Sequence, residues 1–456
     1  MDVRTRRLLE APIGSTMLRL AAPNVLVMLV QASTGLVETY FVSKLGTDAL
    51  AGMAMVFPVV MLIQMVSAGA MGGGIMSAVS RTLGAGRRAD ADALVWHAAA
   101  IALFLGILTT IAALLLGPHL YAALGGEGGS LEAALTYSNI VFFGAFFMWL
   151  FNSLAAVIRG TGNMLVPAVV MTTGAVFLVA LSPLLIFGGG PVPALGIAGG
   201  AIAFVLYYAG GTLAFAWYLW SGRTVLAPST RPVPLRAGPL AQILKVGIVS
   251  SLVSVTTNIT IAVATGFAGA YGPAAVAGYG TGARLEYLLV PLVFGLGAPV
   301  GAMVGTAIGA GNRARALRVA WTGALIAGGL TETIGLAAAF HPEAWLTLFG
   351  NDAAMIATGS HYLRLVGPFY GAFGAGLALY FASQGAGRVG WPLVGGVLRV
   401  VVALGGGWLA MRAGYGLDGV FLALGLALLV FPAVTGGAIL LGSWFPGERV
   451  PRAAAA

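Results

Sequence analysis

Long apolar runs separated by short polar segments dominate this chain. A helix needs about 20 apolar residues to cross the hydrocarbon core of a bilayer, and roughly twelve runs reach that length. They lie near residues 16–42, 49–79, 92–117, 131–158, 164–188, 194–220, 240–271, 274–308, 317–340, 353–383, 390–412 and 415–444. The pattern predicts an all-α polytopic membrane protein with about twelve transmembrane helices.

The second half of the chain repeats the first at an offset of 225 residues. The matching marks are Gly84-Ala85-Gly86 with Gly309-Ala310-Gly311, Gly125 with Gly350, Tyr137 with Tyr362, Gly160-Thr161-Gly162 with Gly385-Ala386-Gly387, and Pro167 with Pro392. A duplication of this length is typical of transporters whose two bundles rock around a site at their interface. Because each repeat holds six runs, an even number, both lobes enter the membrane from the same side.

We therefore expect an N-terminal six-helix lobe over residues 1–220, a Pro-rich basic linker over 221–239 and a C-terminal six-helix lobe over 240–456. The Arg-rich start followed by an apolar run also fits a signal peptide. That interpretation fails, because the first run has a repeat partner near 240–271.

Composition places the chain in the membrane and narrows its chemistry. Of its 456 residues, 59% are apolar and 8% are charged, whereas a soluble protein is about a quarter charged. The absence of cysteine excludes disulfides, thiolate metal sites and thiol catalysis. No HExxH, GxSxG or metal-spaced carboxylate cluster occurs, so we expect no enzyme, no metal and no cofactor.

The basic residues alternate between loops. Of the 23 Lys and Arg residues, 18 fall in the loops on the side of the N-terminus, and Lys44 and Arg412 fall in the opposite loops. The positive-inside rule then places both termini in the cytoplasm of a bacterial-type inner (plasma) membrane. Since no soluble basic module exists, the net charge of +9 does not indicate nucleic acid.

Ionisable side chains inside the predicted spans are functional candidates, because each costs about 2.5 to 3.5 kcal/mol at the bilayer centre on insertion scales. They are Glu38, Arg284, Glu286, Glu332 and Arg399. Glu332 and Arg399 favour structural roles.

Glu38 is the strongest candidate of these. Asn24, Gln31 and Glu38 recur every seven residues and share one helical face, with Thr34 close by. Desolvation favours the protonated form of a carboxylate, so this group can hold either a proton or a cationic substrate. The alternative is a carboxylate that is merely solvated or hydrogen-bonded near the interface.

The second half offers a different set of polar groups. Thr257 and Asn258 lie on the helix that matches the first one, where Asn258 would orient substrate or a cation, or else bond a neighbouring helix. Arg284 and Glu286 point to nearly opposite sides of their helix. Coupling and structural ion pairing stay equally open for Glu286.

Asn152 lies in a span rich in phenylalanine and tryptophan. Aromatic faces attract organic cations, although packing against lipid explains such a span equally well.

On these motifs the chain resembles the multidrug and toxic compound extrusion (MATE) family of secondary transporters. The resemblance covers about residues 14–445. The motifs are the segments Leu20–Pro23 and Gly35–Gly46, the duplicated Gly-Ala-Gly loops, Arg284-Leu285-Glu286, and Arg159–Asn163. The major facilitator family shares the twelve-span plan, but its Asp-Arg loop between the second and third spans is absent here.

The resemblance implies two six-helix lobes around a V-shaped cavity and proton- or sodium-driven export. Glu38 occupies the place where family members commonly carry an aspartate. One branch has an aspartate before a proline in the fifth helix, whereas this chain reads Leu181-Ser182-Pro183. A second branch has acids in the seventh and tenth helices, where this chain has Thr257-Asn258 and the acid-free stretch 371–374.

The sequence thus predicts a monomeric antiporter that exports amphipathic, cationic organic compounds in exchange for protons, or for sodium, by alternating access. Glu38 is the main coupling carboxylate and Glu286 the second choice, and the substrate would meet Asn24, Gln31, Thr34, Asn152, Thr257, Asn258 and Arg284. The alternatives are a flippase of lipid-linked oligosaccharide and, from another class, a channel or a membrane-embedded enzyme.

Overall fold

The computed structural model describes residues 2–445, apart from the side chain of Tyr287. Arg449, Arg452 and the end of the expected 240–456 unit lie outside the described residues. The first half holds α1 (Val3–Glu10), α2 (Ile13–Ser43), α3 (Thr47–Gln64), a π-helix (Met65–Met71), α4 (Gly72–Gly84), α5 (Arg88–Ala123), α6 (Gly128–Phe143), α7 (Ala145–Gly160), α8 (Leu165–Phe187) and α9 (Ile197–Trp220). The second half holds α10 (Ala237–Gly269), α11 (Pro273–Gly309), α12 (Arg313–Phe340), α13 (Pro342–Leu346), α14 (Ala353–Val366), a 3-10 turn (Gly367–Phe369), α15 (Tyr370–Ala386), α16 (Gly390–Arg412) and α17 (Gly416–Leu440).

The number of spans agrees with the prediction from the apolar runs. Eleven helices within the described residues are long and apolar enough to cross a membrane, and α6 with α7, bent by 48°, make up to twelve. The bend falls at Gly144, where a Cβ would lie 2.6 Å from Val205 Cγ1 on α9. A side chain at this position would therefore push α9 away.

The helix bounds reproduce the internal repeat. Both ends of α16 lie 225 residues after the ends of α8, and α7 and α15 begin with the same offset. Gly86 and Gly311 occupy matching turns with φ of +72° and +70°, a conformation that L side chains rarely adopt. We call the face that carries these two turns the terminal face, because α2 begins there and α17 ends there.

The two halves meet through a close crossing of α4 and α11 near the terminal face. A Cβ on Gly84 would overlap the carbonyl oxygen of Thr306, and a Cβ on Gly309 would overlap that of Arg81. The two contacts are reciprocal, because each partner is the repeat equivalent of the other. Small residues let helix backbones approach this closely in membranes.

Hydrogen bonds between the lobes reinforce this crossing. Ser77 Oγ donates to the Gly385 carbonyl at 3.0 Å, and Gln384 Nε2 donates to the Gly69 carbonyl at 3.2 Å. The main contacts between the lobes run from α2, α4 and the π-helix to α10, α11 and α15, whereas α3 and α6 pack chiefly on each other. The lobes are thus joined toward the terminal face.

The connection between α9 and α10 is fixed to the first lobe. The indole nitrogens of Trp96 and Trp220 both donate to the Ser229 carbonyl, at 2.9 and 3.0 Å. The Ala227 N–H donates to Asp92 Oδ1 at 2.7 Å, and the Arg236 N–H donates to His97 Nε2 at 2.9 Å. The segment between the halves therefore follows the start of α5.

Substituting Gly84 by alanine should loosen the joint between the lobes, because the new methyl group and the Thr306 carbonyl cannot share one space. The chain has no cysteine of its own, so a Ser80→Cys substitution at this buried contact reports opening through its rate of maleimide labelling. We expect several-fold faster labelling in the Gly84→Ala background. Gly329→Ala is the control, since a Cβ there meets nothing within 4 Å. If Ser80→Cys is labelled equally fast with and without Gly84→Ala, the α4–α11 crossing does not hold the lobes together.

Candidate transport site

A cavity of about 610 Å³ lies within the first lobe, between α2, α3, α6, α8 and α9. Its lining is mostly apolar, with a few polar side chains that converge on one space. The lining residues are Gln31, Ala32, Thr34, Gly35, Leu36, Glu38, Thr39, Leu50, Met53, Ala54, Phe57, Val60, Met61, Gln64, Tyr137, Ala175, Leu178, Phe204, Tyr207 and Tyr208. This size and this mixture suit a drug-sized organic ligand.

Glu38 is the one carboxyl group in that lining, and it is 6% exposed. Ser182 Oγ on α8 donates to its Oε2 at 2.9 Å, while its Oε1 is buried and receives no hydrogen bond from the described residues. Tyr137 on α6 lies beside it in the cavity wall. Within the part of the chain that the structure describes, no basic side chain forms an ion pair with Glu38.

Gln31 and Thr34 share the cavity face of α2 with Glu38, as the seven-residue spacing predicts. Seven residues of helix rise by about 10 Å. Because Glu38 lies five residues before the end of α2 at Ser43, the cavity extends from near the face opposite the terminal face down to Gln31. A ligand would meet the carboxyl group first and the glutamine deeper.

Gln64 marks the deep end of the cavity, at the junction of α3 with the π-helix. Its Oε1 accepts hydrogen bonds from Tyr208 Oη at 2.9 Å and from Asn152 Nδ2 at 3.5 Å, and Asn152 Nδ2 also donates to Ser67 Oγ at 2.9 Å. These bonds orient the amide, leaving its Nε2 without a partner among the described residues. Gln64 can therefore donate a hydrogen bond to an oxygen of a ligand. Asn152 acts behind Gln64 and does not line the cavity.

Aromatic and methionine side chains form the walls between these two polar ends. Phe57, Phe204, Tyr207 and Tyr208 present aromatic surface, and Phe204 and Tyr208 stand edge to face with ring centroids 5.0 Å apart. Aromatic faces attract organic cations, and methionine adapts its shape to varied ligands. With Glu38, these walls can bind an amphipathic cation.

Other residues expected at this site lie elsewhere. Asn24 is 3% exposed, and its Nδ2 donates to the Gly295 carbonyl of α11 at 3.5 Å, so it bonds the other lobe. Asn258 and Thr257 on α10 bond carbonyls of their own helix, Ser254 at 3.0 Å and Val253 at 3.5 Å. None of the three lines the cavity.

Arg284 and Glu286 belong to the second lobe, and neither lines the cavity of the first. The Arg284 guanidinium lies 5.3 Å from the centre of the Phe349 ring. Tyr362 Oη donates to Glu286 Oε1, and Arg399 is close enough to Glu286 for electrostatic attraction. Arg399 itself is 7% exposed and lies over the Phe373 ring. Glu286 thus belongs to a buried polar cluster.

The repeat places different side chains in the second lobe at positions that correspond to the cavity of the first. At positions 225 residues apart, Ala54 corresponds to Tyr279, Met61 to Glu286, and Ala145 to Tyr370. Tyr279 packs edge to face against Tyr362, with ring centroids 5.2 Å apart. An aromatic ring thus lies in the second lobe where the first lobe has the small side chain of Ala54 in its cavity lining.

Sequence reasoning missed Ser182, Gln64, Tyr207 and Tyr208 as site residues. Ser182 carried a signal, because it stands where one branch of the resembled family has an aspartate. Its hydroxyl now donates to Glu38. Gln64 and the two tyrosines converge from α3 and α9, which no spacing along one helix predicts.

The chain is similar to known proteins over most of its length. The family model described as MatE matches residues 23–184 and again residues 249–409. A protein of Shewanella oneidensis named "FAD transporter" is 27% identical, with 82% of each chain covered, and a Deinococcus radiodurans protein named "Probable multidrug resistance protein NorM" is 26% identical, with 98% of this chain and 99% of that protein covered. A solved structure described as the outward-facing conformation of a multidrug resistance MATE family transporter is 25% identical, with a TM-score of 0.85 over 96% of this chain and 98% of that one.

Replacing Ala54 by tyrosine should close the cavity while the lobe still folds, because the second lobe accommodates Tyr279 at the equivalent position. We expect the affinity for the fluorescent cation ethidium, measured by anisotropy on purified protein, to fall by about tenfold or more. Val176→Tyr on the exposed face of α8 is the control, since Val176 is 65% exposed and does not line the cavity. Unchanged ethidium binding by a well-folded Ala54→Tyr protein would show that the ligand binds elsewhere.

Proposed function

Because the chain belongs to the MatE family of multidrug efflux transporters, we propose that it exports amphipathic organic cations in exchange for protons, with Glu38 as the carboxyl group that both ligands share. The observation that carries this proposal is the position of Glu38. It lines the cavity, it is 6% exposed, and its single hydrogen-bond donor among the described residues is the neutral hydroxyl of Ser182.

The exchange follows from the cost of burying a charge. An ionised carboxylate without a cation is unfavourable in this apolar cavity, so one positive partner is required. A proton and an organic cation satisfy the same requirement and exclude each other. Arrival of a proton therefore releases the cation, and loss of the proton prepares the site for the next cation.

Protons are favoured over sodium by the set of oxygen ligands. Sodium needs several oxygen ligands at one point, and Glu38 with Ser182 supplies few. Gln31 lies about 10 Å away along α2, too far to complete the shell. No group of three or more His, Asp or Glu side chains suited to a metal ion occurs within residues 2–445.

The charge of the cavity also favours cations over anionic cargo. No lysine or arginine is among its lining residues. A diphosphate, whether of FAD or of a lipid-linked oligosaccharide, would face Glu38 without a compensating positive charge. This argument supports the cation exporter over the flippase.

We further infer the arrangement of the transporter in the membrane. The terminal face would lie in the cytoplasm, because the loops on this face carry most of the basic residues. The protein would be a monomer in a bacterial plasma membrane. Residues 1–220 and 240–456 would rock as two lobes about the α4–α11 crossing, with 221–239 as the linker. Glu286 would then stabilise the second lobe and act as the coupling group only if Glu38 does not.

The decisive test is efflux of ethidium from proteoliposomes under an imposed pH gradient or an imposed sodium gradient. For Glu38→Gln we expect pH-driven efflux at the level of protein-free vesicles, because the amide cannot exchange a proton. Glu286→Gln is the control, since it removes a second acid inside the membrane that does not line the cavity, and protein shown by thermal unfolding to be folded should retain driven efflux.

Three results would overturn parts of this proposal. Normal pH-driven efflux by Glu38→Gln would remove Glu38 from coupling, and loss in Glu286→Gln alone would move coupling to the second lobe. If a sodium gradient alone drives ethidium efflux by the wild-type protein, the coupling ion is sodium and not the proton. If the protein exports FAD and not ethidium, the substrate is not an organic cation.

A further inference from the structure

A second cavity, of about 660 Å³, lies on the flank of the second lobe between α14, α16 and α17. We call it the lateral groove. It combines charged and apolar side chains, namely His361, Arg364, Leu365, Gly406, Ala410, Tyr415, Asp418, Gly419, Leu422, Ala423 and Leu426. No residue of the first lobe contributes to it.

The lateral groove faces away from the interior of its lobe. Tyr362 on α14 and Phe421 on α17 point inward and pack edge to face, with ring centroids 5.2 Å apart. On the other side of α17, Leu422 and Leu426 are 44% and 45% exposed. Exposed leucines on a membrane-spanning helix contact lipid, so the groove opens toward the bilayer.

Charged groups occupy the end of the groove near the face opposite the terminal face. There, His361 Nδ1 lies 3.0 Å from Asp418 Oδ1, close to the start of α17. Arg364 lies about one helical turn deeper along α14. The described residues provide no hydrogen-bond or ion-pair partner for Arg364, and an anion would stabilise an arginine that lies beside these membrane-facing apolar side chains.

We propose that the lateral groove binds a bilayer phospholipid with a phosphoethanolamine headgroup. The lipid phosphate pairs with Arg364, and the terminal ammonium pairs with the Asp418 carboxylate. This order matches the lipid, whose phosphate lies deeper in the membrane than its ammonium group. One acyl chain follows Leu422 and Leu426 toward the bilayer centre.

The site belongs to the second lobe alone. The repeat equivalents of Arg364, His361 and Asp418 are Asn139, Thr136 and Pro193, none of which carries charge. The charged end of the groove is therefore a feature of one lobe and not of the repeat. A basic side chain between membrane helices can bind the phosphate of a lipid headgroup by charge attraction.

Native mass spectrometry of the delipidated full chain can test this site, with phosphatidylethanolamine, phosphatidylglycerol and diacylglycerol as the three probes. The wild-type protein should bind phosphatidylethanolamine most tightly and diacylglycerol least. Arg364→Gln should lower the affinity for phosphatidylethanolamine by about tenfold. Arg364→Lys keeps the charge and should bind this lipid nearly as well as the wild type. Asp418→Asn should remove the preference for phosphatidylethanolamine over phosphatidylglycerol.

Arg412→Gln provides the matched control, because Arg412 is an arginine at the same face that lies over the Trp408 ring and outside the groove. It should leave binding of all three lipids unchanged. The proposal is overturned if Arg364→Gln binds phosphatidylethanolamine like the wild type, or if Arg412→Gln weakens it equally. An unchanged lipid preference in Asp418→Asn would overturn the ammonium contact, and thermal unfolding of each variant identifies a loss that comes from misfolding.

Discussion

The contact of α4 with α11 is the constraint on which the rest of the architecture depends. Gly84 faces Thr306 and Gly309 faces Arg81, so each lobe presents to the other the same short stretch of small residues. Because this contact lies toward the terminal face, the halves of the lobes beyond it need not touch. At this crossing the side chains of Met76 and Ser80 on α4 lie against Gly301 and Gly305 of α11, and backbone meets backbone at Gly84 and Gly309. The joint thus holds the lobes together at one end and leaves the opposite ends free to separate.

Duplication gave both lobes one backbone plan, and different side chains then made the lobes different. The first lobe has Ala54 and Met61 in the lining of its cavity, whereas the second has Tyr279 and Glu286 at the same positions. Tyr137 and Tyr362 are equivalent residues, and each lies beside the buried acid of its own lobe. The acids themselves come from different helices, α2 and α11, so they are not copies of one ancestral group. The polar clusters thus arose separately on a shared scaffold.

The helices were predictable from the sequence because the thickness of the bilayer sets their length. The internal repeat also gives each predicted helix an equivalent in the other half, which supports its assignment. Within the candidate site, the seven-residue spacing correctly grouped Gln31 and Glu38 on one face of α2. The same spacing did not bring Asn24 into the cavity, because the second lobe covers that end of α2 and Gly295 accepts its hydrogen bond. Gln64 and Tyr208 were not predictable, since they meet through a side-chain hydrogen bond between α3 and α9, which are far apart in sequence. The spacing of residues along a sequence predicts which of them share one face of a helix. It does not predict which other helix packs against that face, and a binding site depends on both.

The contrast between Glu38 and Glu286 explains why two buried acids need not share a role. Glu286 has an arginine within electrostatic range and the Tyr362 hydroxyl as a donor, so part of its charge is offset inside the protein. Such a carboxylate gains less from an external cation, and removing one partner of such a cluster is costly because the other charge is left buried. Glu38 has a serine hydroxyl and a cavity. Its missing positive charge must arrive from outside, either as a proton or as a ligand, and this requirement is what links the cavity to an ion gradient.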